Sequence, residues 1–241
     1  GTSAFENCKK IEKTNYTGTI DQWAEIIFSG YSNDYSSNPT FFSKDIYINN
    51  LLVTEINLTT ATKINDYAFS KCKSLEKVTI GNSVKSIGKS AFSGCENIKS
   101  ITVAESVMSI GEYAFGSCVS LEKTNYIGTI DQWVQIKFSS DESNPVWYSK
   151  NLYLNNELVT KAKIQTAERI SDGVFANCLC LEEVTIPYGV TNIGCDAFSG
   201  CKNLKKTNYT GTIDQWVEIE FGNRDSNPMD YGGEFYIKDE L

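Results

Sequence analysis

The chain contains no histidine. That absence removes imidazole acid–base catalysis, Ser–His and Cys–His nucleophile pairs, and the commonest metal ligand. No apolar run approaches the roughly 18 residues that would read as a membrane span. A cationic surplus is also missing, since Lys plus Arg total 22 against 30 for Asp plus Glu, a formal net charge of −8. Nucleic acid and anionic membrane both need a basic footprint, so neither is expected as a partner. What is present is ordinary globular material: 241 residues, 41% hydrophobic and 22% charged. That is too apolar for a disordered chain and long enough to bury a core.

The strongest feature is repetition. A signature Ala-Phe-x-x-Cys-x-x-Leu/Ile begins at Ala4-Phe5, Ala68-Phe69, Ala91-Phe92, Ala114-Phe115, Val174-Phe175 and Ala197-Phe198. Phe69, Phe92 and Phe115 are 23 residues apart, as are Phe175 and Phe198, while the two remaining gaps are 64 and 60. Those gaps hold a longer block that reads Thr-Asn-Tyr-x-Gly-Thr-Ile-Asp-Gln-Trp at Thr14–Trp23, Thr124–Trp133 and Thr207–Trp216. Each copy runs on through Ser-Asn-Pro to an extended segment, Ile46–Asn50, Leu152–Asn156 and Phe235–Asp239. The expected organisation is one solenoid over 1–241, with 23-residue units at 66–126 and 172–209. Expanded modules fall at about 12–65, 122–171 and 205–241. Both termini fall inside a repeat and no initiator Met is present, so the sequence reads as a piece of a longer chain.

Within a short unit, Leu75-x-x-Val78-x-Ile80 alternates as a strand with one buried face should. Val84 and Ile87 turn inward on the return path, and Ala91-Phe92 opens the next coil. One coil cannot cover its own apolar side, so stacking on neighbours supplies the core. Strands of successive coils should pair in a parallel sheet, with the phenylalanines stacked behind it. In the long block, Thr19-Ile20-Asp21-Gln22 matches the capping box, repeated at Thr129–Gln132 and Thr212–Gln215. A short helix should follow, burying Ile20 with Trp23, Ile130 with Trp133, and Ile213 with Trp216. Asn49-Asn50 and Asn155-Asn156 predict a tight turn at positive φ, and whether it closes a hairpin stays open.

The unit Leu75-Glu76-Lys77-Val78-Thr79-Ile80…Val84-x-x-Ile87-Gly88-x-x-Ala91-Phe92-x-x-Cys95 resembles the BspA-like class of leucine-rich repeats. The Asp-Gln-Trp blocks resemble the interspersed modules of members from gut Firmicutes. The resemblance implies an α/β solenoid: a curved, right-handed leucine-rich-repeat array with its parallel sheet on the concave face, mostly β and irregular, with short helices in the long modules. It also implies secretion or cell-surface display and, in some members, adhesion to host proteins. It supplies no catalytic residue. Val174 departs from the usual Ala, and shorter coils place Leu58 and Ile164 at the Ile80-type position, which puts local register in question.

The outward strand positions form the expected binding surface: Lys77 and Thr79, Ser100 and Thr102, Lys123 and Asn125, Glu183 and Thr185, Lys206 and Asn208. Trp147 follows Pro145 in a polar loop without a counterpart in the other copies, and joins them as a contact candidate with Tyr31, Tyr35 and Tyr148. The three Asp-Gln-Trp tryptophans read as core. Asp21, Asp131 and Asp214 read as helix-cap carboxylates, with no second carboxylate fixed opposite them.

Six cysteines share one repeat position and read as a column of buried thiols behaving as small hydrophobes. Cys180 and Cys195 lie outside the column, exposed or partly so, and a bridge between them stays open. Zinc ligation lacks histidine and paired short cysteine spacings. The closing Lys238–Leu241 spells a retention signal but is in phase with Asn155–Leu158, so it reads as a truncated repeat. No cofactor, metal or catalytic residue is expected. The expected function is non-enzymatic recognition or adhesion toward a host or neighbouring-cell protein, by a monomer or a weak dimer through its end coils. The alternative is a structural spacer that displays another domain.

Overall fold

A computed structural model describes residues 4–28, 37–231 and 233–238. Tyr31, Tyr35 and Asp239–Leu241 lie outside the described residues. Most coils contribute one longer strand and one two-residue strand on the return path. The longer strands pair in parallel through Glu55–Leu58, Lys77–Ile80, Ser100–Ala104, Lys123–Ile127 and Leu152–Leu154. A second parallel set runs through Lys161–Lys163, Glu183–Ile186, Lys206–Tyr209 and Glu234–Ile237. The return strands form their own ladders, Lys63–Ile64 to Lys137–Phe138 and Arg169–Ile170 to Glu220–Phe221. This is the architecture of a leucine-rich-repeat solenoid.

The 23-residue period places equivalent side chains on top of one another. Phe69 stacks on Phe92 at 5.2 Å between ring centres, Phe92 on Phe115 at 5.4 Å, and Phe175 on Phe198 at 5.4 Å. All five rings are fully buried. The register survives the irregular coils, because Leu58 pairs with Ile80 and the Ile164 amide donates to the Thr185 carbonyl. Val174 is buried where Ala stands elsewhere. From Trp23 to Ile219 the buried apolar side chains join in one cluster.

The expanded modules obey their local signals. Thr19, Thr129 and Thr212 each cap a helix, Ile20–Ala24, Ile130–Trp133 and Ile213–Val217, with the reciprocal Gln contact of the capping box in place. Each Asp-Gln-Trp tryptophan lies between a tyrosine and a phenylalanine, as Trp133 does between Tyr126 at 5.3 Å and Phe138 at 5.6 Å. Buried Trp23, Trp133 and Trp216 are therefore core. Ile213 is a correction: it is 53% exposed, while Ile130 is buried and Ile20 half-buried. A four- or five-residue helix buries a full turn only where the next coil covers it, and Ile213 has no such cover among the described residues.

The asparagine pairs make true hairpins. Asn49 and Asn50 have φ of 49° and 69°, Asn155 and Asn156 of 50° and 71°. The strands Leu51–Leu52 and Glu157–Leu158 fold back antiparallel on Ile46–Ile48 and Leu152–Leu154. Two consecutive left-handed residues match the twist of a two-residue hairpin, and asparagine tolerates that region better than most side chains. Each hairpin ends a parallel ladder, and the next coil starts a new one.

Candidate functional site

The strand register gathers the ten outward candidates into rows. Glu55, Lys77, Ser100 and Lys123 are successive partners, and beside them run Asn57, Thr79, Thr102, Asn125 and Tyr153. In the second set Lys161, Glu183, Lys206 and Glu234 form one row, and Lys163, Thr185, Asn208 and Tyr236 the other. Opposite charges meet across strands. Lys161 lies 2.9 Å from Glu183, Lys206 lies 3.8 Å from it, and Lys77 lies 3.8 Å from Glu55. The Lys161 ammonium hydrogen-bonded to Glu183 holds that carboxyl below its usual range, against a smaller desolvation effect, and the Asn208 amide adds to it.

Two of the ten are not available to a partner. Asn125 and Asn208 are buried, at 2% and 4% exposed. Alternation points both outward, but the hairpin at Asn155-Asn156 folds over Asn125, and Asn208 turns back along its own sheet. Asn125 Oδ1 accepts the backbone N–H of Asn156 at 2.8 Å, and Asn15 Oδ1 does the same for Asn50. Asn208 donates instead to Glu183 at 2.7 Å. The Asn of each Thr-Asn-Tyr triplet is thus a hairpin or strand clasp. Its threonine points inward, where Thr124 Oγ1 and Ser149 Oγ lie 2.8 Å apart.

Trp147 is also corrected. It sits on a short helix, Val146–Ser149, rather than in a loop, and its counterpart is Phe41 on the helix Thr40–Ser43. The two helices stack on the Ala-Phe type turn of the following coil. Asn144 Nδ2 donates to the carbonyls of Gly173 and Val174, as Asn38 Nδ2 does to Tyr67 and Ala68. Trp147 is half-buried, with Lys150 Nζ 5.6 Å from its ring centre, and it does not join the strand rows. Tyr148 is structural, since its hydroxyl donates to Glu142 and accepts the Ser117 N–H.

The strand face holds a feature that residue-by-residue alternation did not single out. Lys13 Nζ stands 4.2 Å from the centre of the Tyr47 ring, Lys123 4.7 Å from Tyr153, and Lys206 4.3 Å from Tyr236. Every expanded module therefore presents one lysine over one tyrosine at the same place. The signal was available: each extended segment carries a central tyrosine, and each Thr-Asn-Tyr triplet is preceded by lysine.

Two of the three Asp-Gln-Trp carboxylates do more than sit in the first turn of a Thr-capped helix. Asp21 Oδ1 accepts the amides of Thr59, Thr60 and Ala61 from the next coil, and Asp131 Oδ1 those of Gln165, Thr166 and Ala167. Desolvation acts to raise both carboxyls, but the amides outweigh it and both lie below the ordinary value. These are clamps between coils. Among the described residues no cluster of three or more Cys, Asp or Glu could hold a metal ion. No described helix is long and apolar enough to cross a membrane.

All eight cysteines are free thiols. Cys195 is exposed and unbridged, and Cys180 lies against Cys178 instead, 3.4 Å sulfur to sulfur. Cys72, Cys95, Cys118, Cys178 and Cys201 form the buried column, whereas Cys8 departs from it and is exposed.

A family model described as a BspA type leucine rich repeat region, in six copies, matches residues 38–144, 62–167 and 166–227. No curated protein matches the chain. A leucine rich cell surface protein from Faecalibacterium prausnitzii is 24% identical, covering 71% of this chain and 36% of its own, with a TM-score of 0.36. The chain thus spans about a third of that protein. A leucine rich repeat protein of T. pallidum is 21% identical over 76% of this chain and 85% of its own, with a TM-score of 0.44. The pneumococcal vaccine antigen PcpA is 18% identical over 93% and 73%, with a TM-score of 0.36. With the Phe columns, the parallel ladders and a family match over most of its length, the chain belongs to the BspA-type leucine-rich-repeat family.

Proposed function

We propose that the chain is a non-enzymatic recognition module of a secreted or cell-surface protein, and that its outward strand face binds a protein partner. Leucine-rich-repeat arrays offer long continuous faces suited to protein ligands. The observation that carries the reading is the composition of this face. It gathers Lys13, Lys77, Lys123, Lys161, Lys163 and Lys206 against Glu55, Glu183 and Glu234, in a chain whose net charge is −8. Three of those lysines lie over tyrosine rings, a pairing that gives an amphipathic contact at low side-chain entropy cost. A partner surface rich in carboxylates fits such a face. Host adhesion is the biological form of this reading.

The test is capture from host extracellular extracts by the wild-type chain and by a Lys77→Glu, Thr102→Glu, Lys123→Glu triple variant. Recognition through the face requires that a captured protein be lost by the variant and that its binding weaken as salt rises. Capture that ignores all three changes would move the site off the strand rows. No capture by either chain would favour a spacer.

A further inference from the structure

Cys178 and Cys180 are placed differently from every other thiol of the chain. Cys95, Cys118 and Cys201 each point Sγ at a phenylalanine carbonyl of the preceding coil, at 3.0, 3.4 and 3.0 Å. Cys72 heads the first column and has the Thr40 hydroxyl beside it. Cys178 heads the second column, and there Val146 replaces Thr40, so no hydroxyl is offered. In the same coil Cys180 takes the slot of Ser74, whose hydroxyl donates to the Val53 carbonyl. The two exchanges leave the Cys178 and Cys180 sulfurs facing each other at 3.4 Å. The Leu152 amide also donates to Cys180 Sγ, at 3.4 Å. Cys178 is fully buried and Cys180 half-buried, so only Cys180 meets solvent.

We propose that Cys178 and Cys180 form a reactive dithiol that a two-electron oxidant, hydrogen peroxide being the simplest, converts to an intrachain disulfide, with Cys180 attacking and Cys178 resolving. The Cys180 thiolate attacks one peroxide oxygen. The O–O bond breaks, and the departing hydroxide takes up a proton to become water. Cys180 is then a sulfenic acid. The Cys178 sulfur displaces that hydroxyl, the S–O bond breaks, and the Cys178 proton leaves with it as a second water. Two electrons have passed from the sulfurs to the peroxide. The sulfurs must approach by about 1.4 Å to reach a disulfide length near 2.05 Å. Cys178 is fixed in the column, so the half-buried Cys180 makes that movement. The surroundings favour this order of events. The Cys178 thiol hydrogen bond holds Cys180 at about 7, although burial works against it, while the same contact and burial raise Cys178. Burial pushes Cys72, Cys118 and Cys201 up to about 12.

The test uses the 241-residue chain with the exposed thiols removed by Cys8→Ser and Cys195→Ser. In native protein at pH 7, iodoacetamide should alkylate Cys180 at least tenfold faster than Cys178 or Cys201, with a rate that rises through about pH 7. Peroxide should then remove two titratable thiols and lower the mass of the peptide between Arg169 and Lys202 by about 2 Da. Cys201 must still alkylate after unfolding. Cys180→Ser restores the side chain of the first column, so it should fold normally and abolish the crosslink. Cys178→Ser should stop at a Cys180 sulfenic acid trapped by dimedone. A Cys180 that alkylates no faster than Cys201, or a crosslink that persists in Cys180→Ser, would overturn the proposal.

Discussion

One oxygen of the Asp131 carboxylate holds the amide of Ala167, 36 residues away in the following coil, at 3.0 Å. It holds the amides of Gln165 and Thr166 at the same time. A carboxylate is suited to this because a single oxygen carries the charge and the lone pairs for several donors.

Asp131→Asn should therefore destabilise the chain by about 1–2 kcal/mol at pH 7, at the lower part of the range for hydrogen bonds to charge because the site is partly exposed. The folded carboxyl lies below its unfolded value of about 3.9, so its contribution is fully present above that pH. It is lost as pH falls through the lowered folded value. Urea denaturation at pH 7 and pH 3 checks this, and the gap between wild type and variant must narrow at the acid end. Asp214→Asn is the control. Asp214 is exposed and has no hydrogen bond to a following coil among the described residues, so its loss should cost less than ~0.5 kcal/mol.

Phe92 has a parallel ring on each side, and both neighbours are as buried as it is. Phe92→Ala should cost about 3–5 kcal/mol, because a column cannot collapse into the gap without shifting two coils. Phe92→Leu keeps most of the volume and should cost roughly 1–2 kcal/mol. Equilibrium unfolding should show lower midpoints with an unchanged denaturant slope.

At Asn156 the backbone φ is 71°, where a Cβ without a compensating polar side chain is strained. Asn156→Ala should lose about 1 kcal/mol, and Asn156→Gly should be close to neutral. Asn125→Ala should lose a similar amount by removing the acceptor for the Asn156 amide. Thermal melts of the three variants separate backbone strain from the lost bond.

Trp133 is fully buried, and its indole N–H reaches the Val174 carbonyl at 3.2 Å. Trp133→Phe should cost about 1–3 kcal/mol and Trp133→Ala about 3–5 kcal/mol. Loss of the most buried indole also gives a fluorescence readout of the module itself.

The parts of the fold that could be read in advance are those fixed by short-range pattern. Phase alone placed the Phe columns, Thr19-x-x-Gln22 announced its helix, and Asn49-Asn50 announced a left-handed turn. What could not be read depends on which coil covers which. Asn125 alternates outward as expected, yet it lies under a hairpin whose turn Asn155-Asn156 signals without saying what the turn covers. Asp131 looked complete as a helix cap because its three donors lie 34 to 36 residues further along. The recurrence of Thr-Ala at Thr60-Ala61 and Thr166-Ala167, behind the first two Asp-Gln-Trp blocks, was the one available hint. Trp147 was misplaced because its aromatic counterpart is Phe41, a match that only the shared Ser-Asn-Pro numbering reveals.

Where Glu157–Leu158 doubles back on Leu152–Leu154, the backbone ladder stops, and Lys161–Lys163 begins another. Across that seam the shared apolar core is joined only by individual bonds, among them those from Asp131, Trp133 and Asn144 and from the Val134 and Lys150 carbonyls to the Ser171 and Leu179 amides of the next winding. Tension drawn end to end along the molecule would concentrate there. The array should then yield in blocks that part at the seams, and shorten again as those few fasteners re-engage.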